Sequence, residues 1–94
     1  MARVATHPGK VLKAELEERN MSANQLALAI RVPANRITAI ARGERSVSAE
    51  TAVRLGRYLQ TGAAFWMNLQ TAHDISVIEA KKGQTIALEI AATV

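Results

Sequence analysis

A chain of 94 residues, 49% of them hydrophobic, is long enough for one domain with a modest core, which oligomerisation would help to stabilise. The absence of cysteine excludes a disulfide scaffold and a thiolate metal site, and it suits a reducing cytoplasm. No apolar run approaches the roughly 20 residues of a membrane span, and the N-terminus lacks the apolar core of a secretory signal, so we expect a cytoplasmic protein with no membrane partner.

The first two predicted elements are helices. Pro8 opens the first, at a position where its missing N–H costs nothing, and the helix extends to about Arg19. Its apolar side consists of Val11, Leu12 and Leu16. Ser22 is a suitable N-cap for a second helix that ends at Ile30. The inward side of this helix repeats at helical spacing and consists of Ala23, Leu26, Ala27 and Ile30.

A corner separates the second helix from the third. The residue before a proline is pushed out of the helical region, so Val32 breaks the run ahead of Pro33. Two short helices joined by a corner of roughly three or four residues form a helix-turn-helix. The third helix begins at Pro33 and ends before Gly43, where we expect a left-handed backbone conformation.

Two more helices and a tail follow. Ser48 is the predicted N-cap of the fourth helix, which buries Ala52, Leu55 and Leu59. A loop around Gly62 leads into a fifth helix, from Ala63 to about Lys81. We therefore predict an all-α fold of five helices, with a helix-turn-helix domain over residues 1–82 and a C-terminal tail over residues 83–94.

The tail carries two competing patterns. Alternating apolar residues have the period of a half-buried strand, whereas the alanines and Glu89 also suit a helix, so both interpretations stay open. A lone strand needs a partner, and pairing across a dimer axis would provide one. We expect a homodimer built on the apolar residues of this third of the chain, which are Ile75, Ile78, Ile86, Leu88 and Ile90.

The positive charge is concentrated in one block. Residues 31–57 contain six arginines, two glutamates and no lysine, so the whole net charge of +4 lies there. A solvated surface would mix both signs, whereas the arginine fork matches phosphate oxygens. The block therefore favours a polyanionic partner.

The third helix has a side suited to the major groove of DNA. At helical spacing, Ile37 and Ile40 face inward, while Arg36 lies on the flank. The opposite side carries Asn35, Thr38, Ala39 and Arg42. Asparagine can pair with adenine, a methyl group can contact thymine, and arginine can bind guanine or phosphate. An ordinary helical hairpin with a solvated polar side is the alternative, and the arginine block disfavours it.

Three segments resemble one known family. They are HPGKVL (7–12), VPANRITAIARGERSVSAETAVRL (32–55) and FWMNLQTAHDISVIEA (65–80). This combination resembles the HigA branch of the phage-repressor-like helix-turn-helix proteins, the antitoxins of HigBA modules. The resemblance implies a dimer that binds a palindrome of double-stranded operator DNA in its own promoter. It also implies neutralisation of a HigB-like toxin, an mRNA-cleaving endoribonuclease that depends on the ribosome.

The resemblance also implies DNA-binding roles. Ser22, Asn24 and Gln25 match positions that hold the DNA backbone. The reading helix is matched by Ala34, Asn35, Arg36, Thr38 and Ala39, and the loop along the phosphates by Arg42, Gly43 and Arg45. At the corner, Arg31 replaces the usual glycine, at a cost of roughly 1 kcal/mol if its backbone is left-handed, and its side chain is a candidate phosphate contact.

The alternatives belong to other classes of protein. A helix-turn-helix regulator without a toxin partner fits the same residues, and so does an interaction module whose basic side binds an acidic protein. An enzyme is disfavoured because the serines are better explained as caps or exposed polar residues than as nucleophiles. His7 and His73 are too few and too far apart in sequence to indicate a metal site, and we expect no cofactor.

Overall fold

The computed structural model describes residues 3–90 of the chain, and this part forms five α-helices without any strand. The helices are α1 (Pro8–Glu18), α2 (Ala23–Ile30), α3 (Ala34–Ala41), α4 (Ala49–Leu59) and α5 (Ala63–Glu89). The prediction of an all-α, five-helix architecture is confirmed.

Side-chain caps fix where the helices begin. Ser22 and Gln25 form a reciprocal capping box: the Ser22 hydroxyl accepts from the Gln25 N–H at 3.1 Å, and Gln25 Oε1 accepts from the Ser22 N–H at 2.8 Å. The hydroxyl of Ser48 accepts from the Thr51 N–H and begins α4. Both predicted caps are confirmed. Pro33 is itself the N-cap of α3, so this helix begins one residue later than predicted.

The core lies where the four short helices meet the start of α5. Its buried apolar residues are Leu12, Leu16, Leu26, Ala27, Ile30, Ile37, Ile40, Val47, Ala52, Leu55, Leu59 and Trp66. Trp66 is fully buried, and its indole N–H donates to the Thr61 hydroxyl at 2.8 Å. Phe65 packs edge-to-face against Trp66 but stays 39% exposed. Trp66 is therefore part of the core, and Phe65 lies at its edge.

The corner between α2 and α3 has the expected left-handed residue. Arg31 has φ 61° and ψ 52°, and the Val32 N–H after it donates to the Ala27 carbonyl at 3.0 Å. This hydrogen bond closes the end of α2 and lets Pro33 begin the next helix in a new direction. Gly43, after α3, also has the expected positive φ of 76°.

The predicted end of α5 is wrong, and the tail, for which a strand and a helix were both open, is helical through Glu89. The helix does not stop near Lys81 but continues through the proposed domain boundary to Glu89, so Ile86 and Leu88 are helical, and Ile90 caps the helix end. A helix satisfies its backbone N–H and C=O groups internally, whereas an isolated strand would leave them unpaired. Residues 91–94 of the predicted tail lie outside the described part of the chain.

The later half of α5 extends away from the core. Along its 27 residues only Trp66 and Gln70 are buried, and the described residues span 49 Å in their longest dimension but 21 Å in the other two. The five apolar residues expected at a dimer interface remain 36% to 89% exposed. Within residues 3–90, no helix combines the length and the apolar character needed to cross a membrane.

Arg31→Gly should raise the free energy of unfolding by about 1 kcal/mol, because glycine adopts a positive φ without strain from a Cβ. Gln60→Gly is the matched control, since Gln60 ends α4 with φ 62°. Urea denaturation should show similar gains for both variants. A loss of stability confined to Arg31→Gly would mean that the arginine side chain holds the corner together.

Candidate nucleic-acid interface

The inward side of α3, the helix expected to read DNA, anchors it in the core. Ile37 and Ile40 are completely buried, whereas Asn35 is exposed at the start of the helix. The Thr38 hydroxyl donates to the Ala34 carbonyl at 3.2 Å, so its hydrogen-bonding group is occupied within the helix. The Asn35 amide is thus free to bind a partner. Of the Thr38 side chain, the methyl group remains available for an apolar contact.

Arg36 lies on the flank of α3, as the helical spacing predicts. Its side chain is half-buried, and its Nε is buried without a hydrogen-bond partner in the described residues. An N–H that is buried and unpaired costs roughly 1–3 kcal/mol. An anion that drew the guanidinium outward would remove this cost, which favours Arg36 as an anion contact.

The N-terminal end of α2 forms a second part of the surface. The capping box rigidifies Ser22 and Gln25, and it leaves the amide nitrogen of Gln25 and the exposed side chain of Asn24 available. Backbone N–H groups at a helix N-terminus attract phosphate. Ser22, Asn24 and Gln25 are therefore arranged as backbone-binding residues would be.

The loop after α3 forms the third part. The Glu44 N–H donates to Ala39 and the Gly43 N–H to Ile40, each at 2.9 Å, so the chain leaves α3 through a tight left-handed turn. Arg42 and Arg45 are exposed on this turn. Two residues on from Arg45, the Val47 N–H donates to the buried Oε1 of Gln70 at 2.8 Å, which fastens the loop to α5.

The six arginines of the block do not have one common role. Arg54 donates to the Ile30 carbonyl at 3.0 Å and pairs with Glu50 at 3.1 Å, so it braces α4 against the end of α2. The other five form no side-chain hydrogen bond or ion pair to the described residues, and they are Arg31, Arg36, Arg42, Arg45 and Arg57. Charge counting missed this division, although the spacing of four residues between Glu50 and Arg54 was a signal of it.

The helical structure also divides the residues expected at a dimer interface. In a strand, Ile86, Leu88 and Ile90 would share one face. At 100° per residue of an α-helix, Ile75, Ile86 and Ile90 fall within a sector of about 60°, while Leu88 lies on the opposite side. Ile78 lies on the flank of the isoleucine sector. Within residues 3–90 no cluster of three or more acidic or histidine side chains is placed to hold a metal ion.

Comparisons with known proteins agree with this geometry. The helix-turn-helix family model matches residues 12–66. Virulence-associated protein I of Dichelobacter nodosus is 43% identical over 79 residues, which cover 83% of this chain and 73% of that protein. A HigA-family addiction module antidote protein from Coxiella burnetii superimposes with a TM-score of 0.92 at 43% identity, over 97% of this chain and 100% of that one. The structure of the Pseudomonas aeruginosa antitoxin HigA with the higBA promoter gives a TM-score of 0.92 at 41% identity, over 95% and 98% of the two chains.

Proposed function

Because this chain belongs to the helix-turn-helix family, in its HigA-type branch, we propose that it is a cytoplasmic antitoxin that represses its own operon and neutralises a HigB-like toxin. The observation that carries the proposal is the similarity, over 95% of this chain, to a HigA antitoxin whose structure contains its promoter. Proteins of this family are DNA-binding regulators rather than enzymes.

The three parts of the interface have different roles in DNA binding. Asn35, Ala34, Thr38 and Ala39 contact base edges in the major groove, where an amide can pair with adenine and a methyl group can touch thymine. Phosphates are bound at the start of α2 by Ser22, Asn24 and Gln25. The phosphate-binding arginines are Arg31, Arg36, Arg42 and Arg45. Their side chains have no partner in the described residues, and this free charge supports the assignment.

Asn35→Ala should weaken operator binding by roughly 1–3 kcal/mol and leave binding to random DNA unchanged, because it removes a base contact. Arg42→Ala should weaken binding to both duplexes and reduce the slope of log affinity against log salt by about one unit, because it removes a phosphate contact. Fluorescence anisotropy over a salt series measures both effects.

Arg57→Ala is the matched control for charge, since Arg57 is exposed on α4 but lies outside the proposed contacts. It should leave the salt slope unchanged. Equal losses for Asn35→Ala on operator and random duplexes would show that Asn35 reads no base, and a flat salt response of the unmodified protein would overturn DNA binding itself.

Co-expression of this chain with the cognate HigB-like toxin should restore growth of the cells that the toxin inhibits. The two proteins should also form a complex that survives gel filtration at micromolar concentrations. The Asn35→Ala variant is a useful control, because it should no longer repress the operon and should still neutralise the toxin. If the purified pair fails to associate, the antitoxin role falls and a transcriptional regulator without a toxin partner remains.

The functional unit is a homodimer joined through the later part of α5. A single reading helix touches few base pairs, and repressors of this kind place two such helices about 34–36 Å apart along one side of the DNA. The exposed apolar residues of α5 offer the surface for a symmetry mate, and the dimerisation candidates are Ile75, Ile78, Ile86, Leu88 and Ile90. The sector with Ile75, Ile86 and Ile90 forms the centre of the interface, because it presents three large residues on one side of the helix.

Ile86→Asp should convert the dimer into a folded monomer that binds its operator weakly, because it places a charge in the isoleucine sector. Leu88→Asp makes the same change on the other side of the helix and should leave a dimer. Deletion of residues 84–94 should also give a folded monomer, since the α5 residues that are buried or packed against the core all lie between Ala63 and Gln70. Light scattering measures the mass, and a monomer for Leu88→Asp alone would move the interface to that side.

A further inference from the structure

Two imidazole rings meet where the N-terminal segment crosses α5. The rings of His7 and His73 lie edge-to-face with centroids 4.8 Å apart. They line a small cavity together with the loop after α3, which contributes Glu44 and Arg45. The pair therefore lies between the proposed phosphate-binding loop and the proposed dimerisation helix.

His7 connects the start of α1 to the end of the reading helix. Its Nδ1 accepts from the Gly9 N–H at 2.8 Å and caps α1. Gly9 lies so close to the Ile40 carbonyl that a Cβ on Gly9 would collide with it. On the loop side, a Cβ on Gly43 would lie 3.9 Å from Cγ of His7. The ring thus caps α1 and lies beside the turn that ends α3, across the cavity that both line.

His73 connects the same region to α5. Its Nδ1 lies 2.8 Å from the carbonyl oxygen of Ala5, so it donates to that carbonyl. The Ala5 N–H in turn donates to the Ser76 hydroxyl at 2.8 Å. One turn earlier on α5, Gln70 holds the Val47 N–H. The N-terminal segment and the loop are therefore both fastened to one short stretch of α5.

We infer that His7 and His73 are a positioning pair that fixes the reading helix and its loop relative to α5, and that protonation of His7 releases the loop and weakens operator binding. The inference rests on the proposed function, in which α5 sets the spacing of two reading helices. A small rotation of α3 against α5 would then misplace both reading helices on the operator.

The chemistry of the cap requires a neutral His7. A protonated Nδ1 cannot accept from the Gly9 N–H, and a cation is unfavourable at a helix N-terminus. Burial lowers the pKa of His7 and the neighbouring His73 lowers it further, while Asp74 opposes both effects. Stability from the cap is therefore fully present above the unfolded pKa of about 6.5 and is lost as pH falls through the lower folded value.

The expected pH effect has the opposite sign from simple electrostatics. An added positive charge near the DNA would strengthen binding to any duplex. Loss of the His7 cap instead weakens binding to the operator, where both reading helices must fit. Binding to random DNA depends less on that fit. A comparison of the two duplexes therefore separates positioning from charge.

The test measures affinity for the operator and for a scrambled duplex at about pH 7.5 and about pH 5.5, at constant ionic strength. The unmodified protein should lose operator affinity at the lower pH, by less than the roughly tenfold that a histidine with the ordinary pKa of about 6.5 would give, because the pKa of His7 is lowered. His7→Asn should keep its affinity at both pH values, because asparagine caps a helix without titrating. Asp74→Asn should shift the loss to lower pH, since Asp74 raises the pKa of His7.

Amide hydrogen exchange gives a readout that does not need DNA. At low pH the amides of Gly43, Glu44 and Val47 should lose protection in the unmodified protein relative to His7→Asn at the same pH. Failure to bind the operator at either pH would overturn the proposed function, and the exchange data would still decide the positioning role. Identical pH profiles for the unmodified protein and His7→Asn, in affinity and in exchange, would overturn the inference.

Discussion

The chain can turn from α2 into α3 only because the first of the three residues between them accepts a left-handed conformation. Arg31 does so at φ 61°, where a side chain is strained, and Arg54 donates to the Ile30 carbonyl that the turn exposes. With the corner fixed, Ile37 and Ile40 are directed into the core, and Asn35 stays exposed. The orientation of the reading helix is thus a consequence of one backbone conformation and one arginine that braces it.

The basic surface is built from residues with unequal freedom. The side chain of Arg54 stabilises the fold, whereas Arg42 and Arg45 lie on a tight turn and form no hydrogen bond or ion pair to the described residues. A flexible arginine loses rotamer entropy when it binds, so a rigid backbone beneath it reduces the additional ordering required. The left-handed turn at Gly43 and the buried Val47–Gln70 hydrogen bond supply that rigidity. For binding an anion, the position of the arginines on a fixed loop therefore matters as much as the amount of charge.

Local signals explain which features the sequence could predict. The caps at Ser22 and Ser48 and the buried sides of α2 and α4 depend on residues three or four positions apart, so spacing alone indicated them. The end of α5 could not be predicted in this way, since residues 84–90 satisfy the period of a strand as well as the composition of a helix. Contacts such as His7 with His73 join residues 66 positions apart and leave no periodic trace. Within the arginine block, the spacing of Glu50 and Arg54 indicated their ion pair, whereas the hydrogen bond from Arg54 to Ile30 joins residues 24 positions apart and could not be predicted.

The length of α5 links the small core to everything outside it. Trp66 and Gln70 are buried in the first two turns of the helix. The helix then continues past the other four helices, and its isoleucines are exposed. A domain of this size buries little apolar surface on its own. A second copy that covered the isoleucines would therefore stabilise the fold, and the same contact would define the two-fold axis of a dimer. Every contact between α5 and the helix-turn-helix would then help to set the distance between the two copies of α3. In such a dimer, the hydrogen bonds that join α5 to Val47 and to the N-terminal segment would connect the dimer interface to the DNA-binding surface.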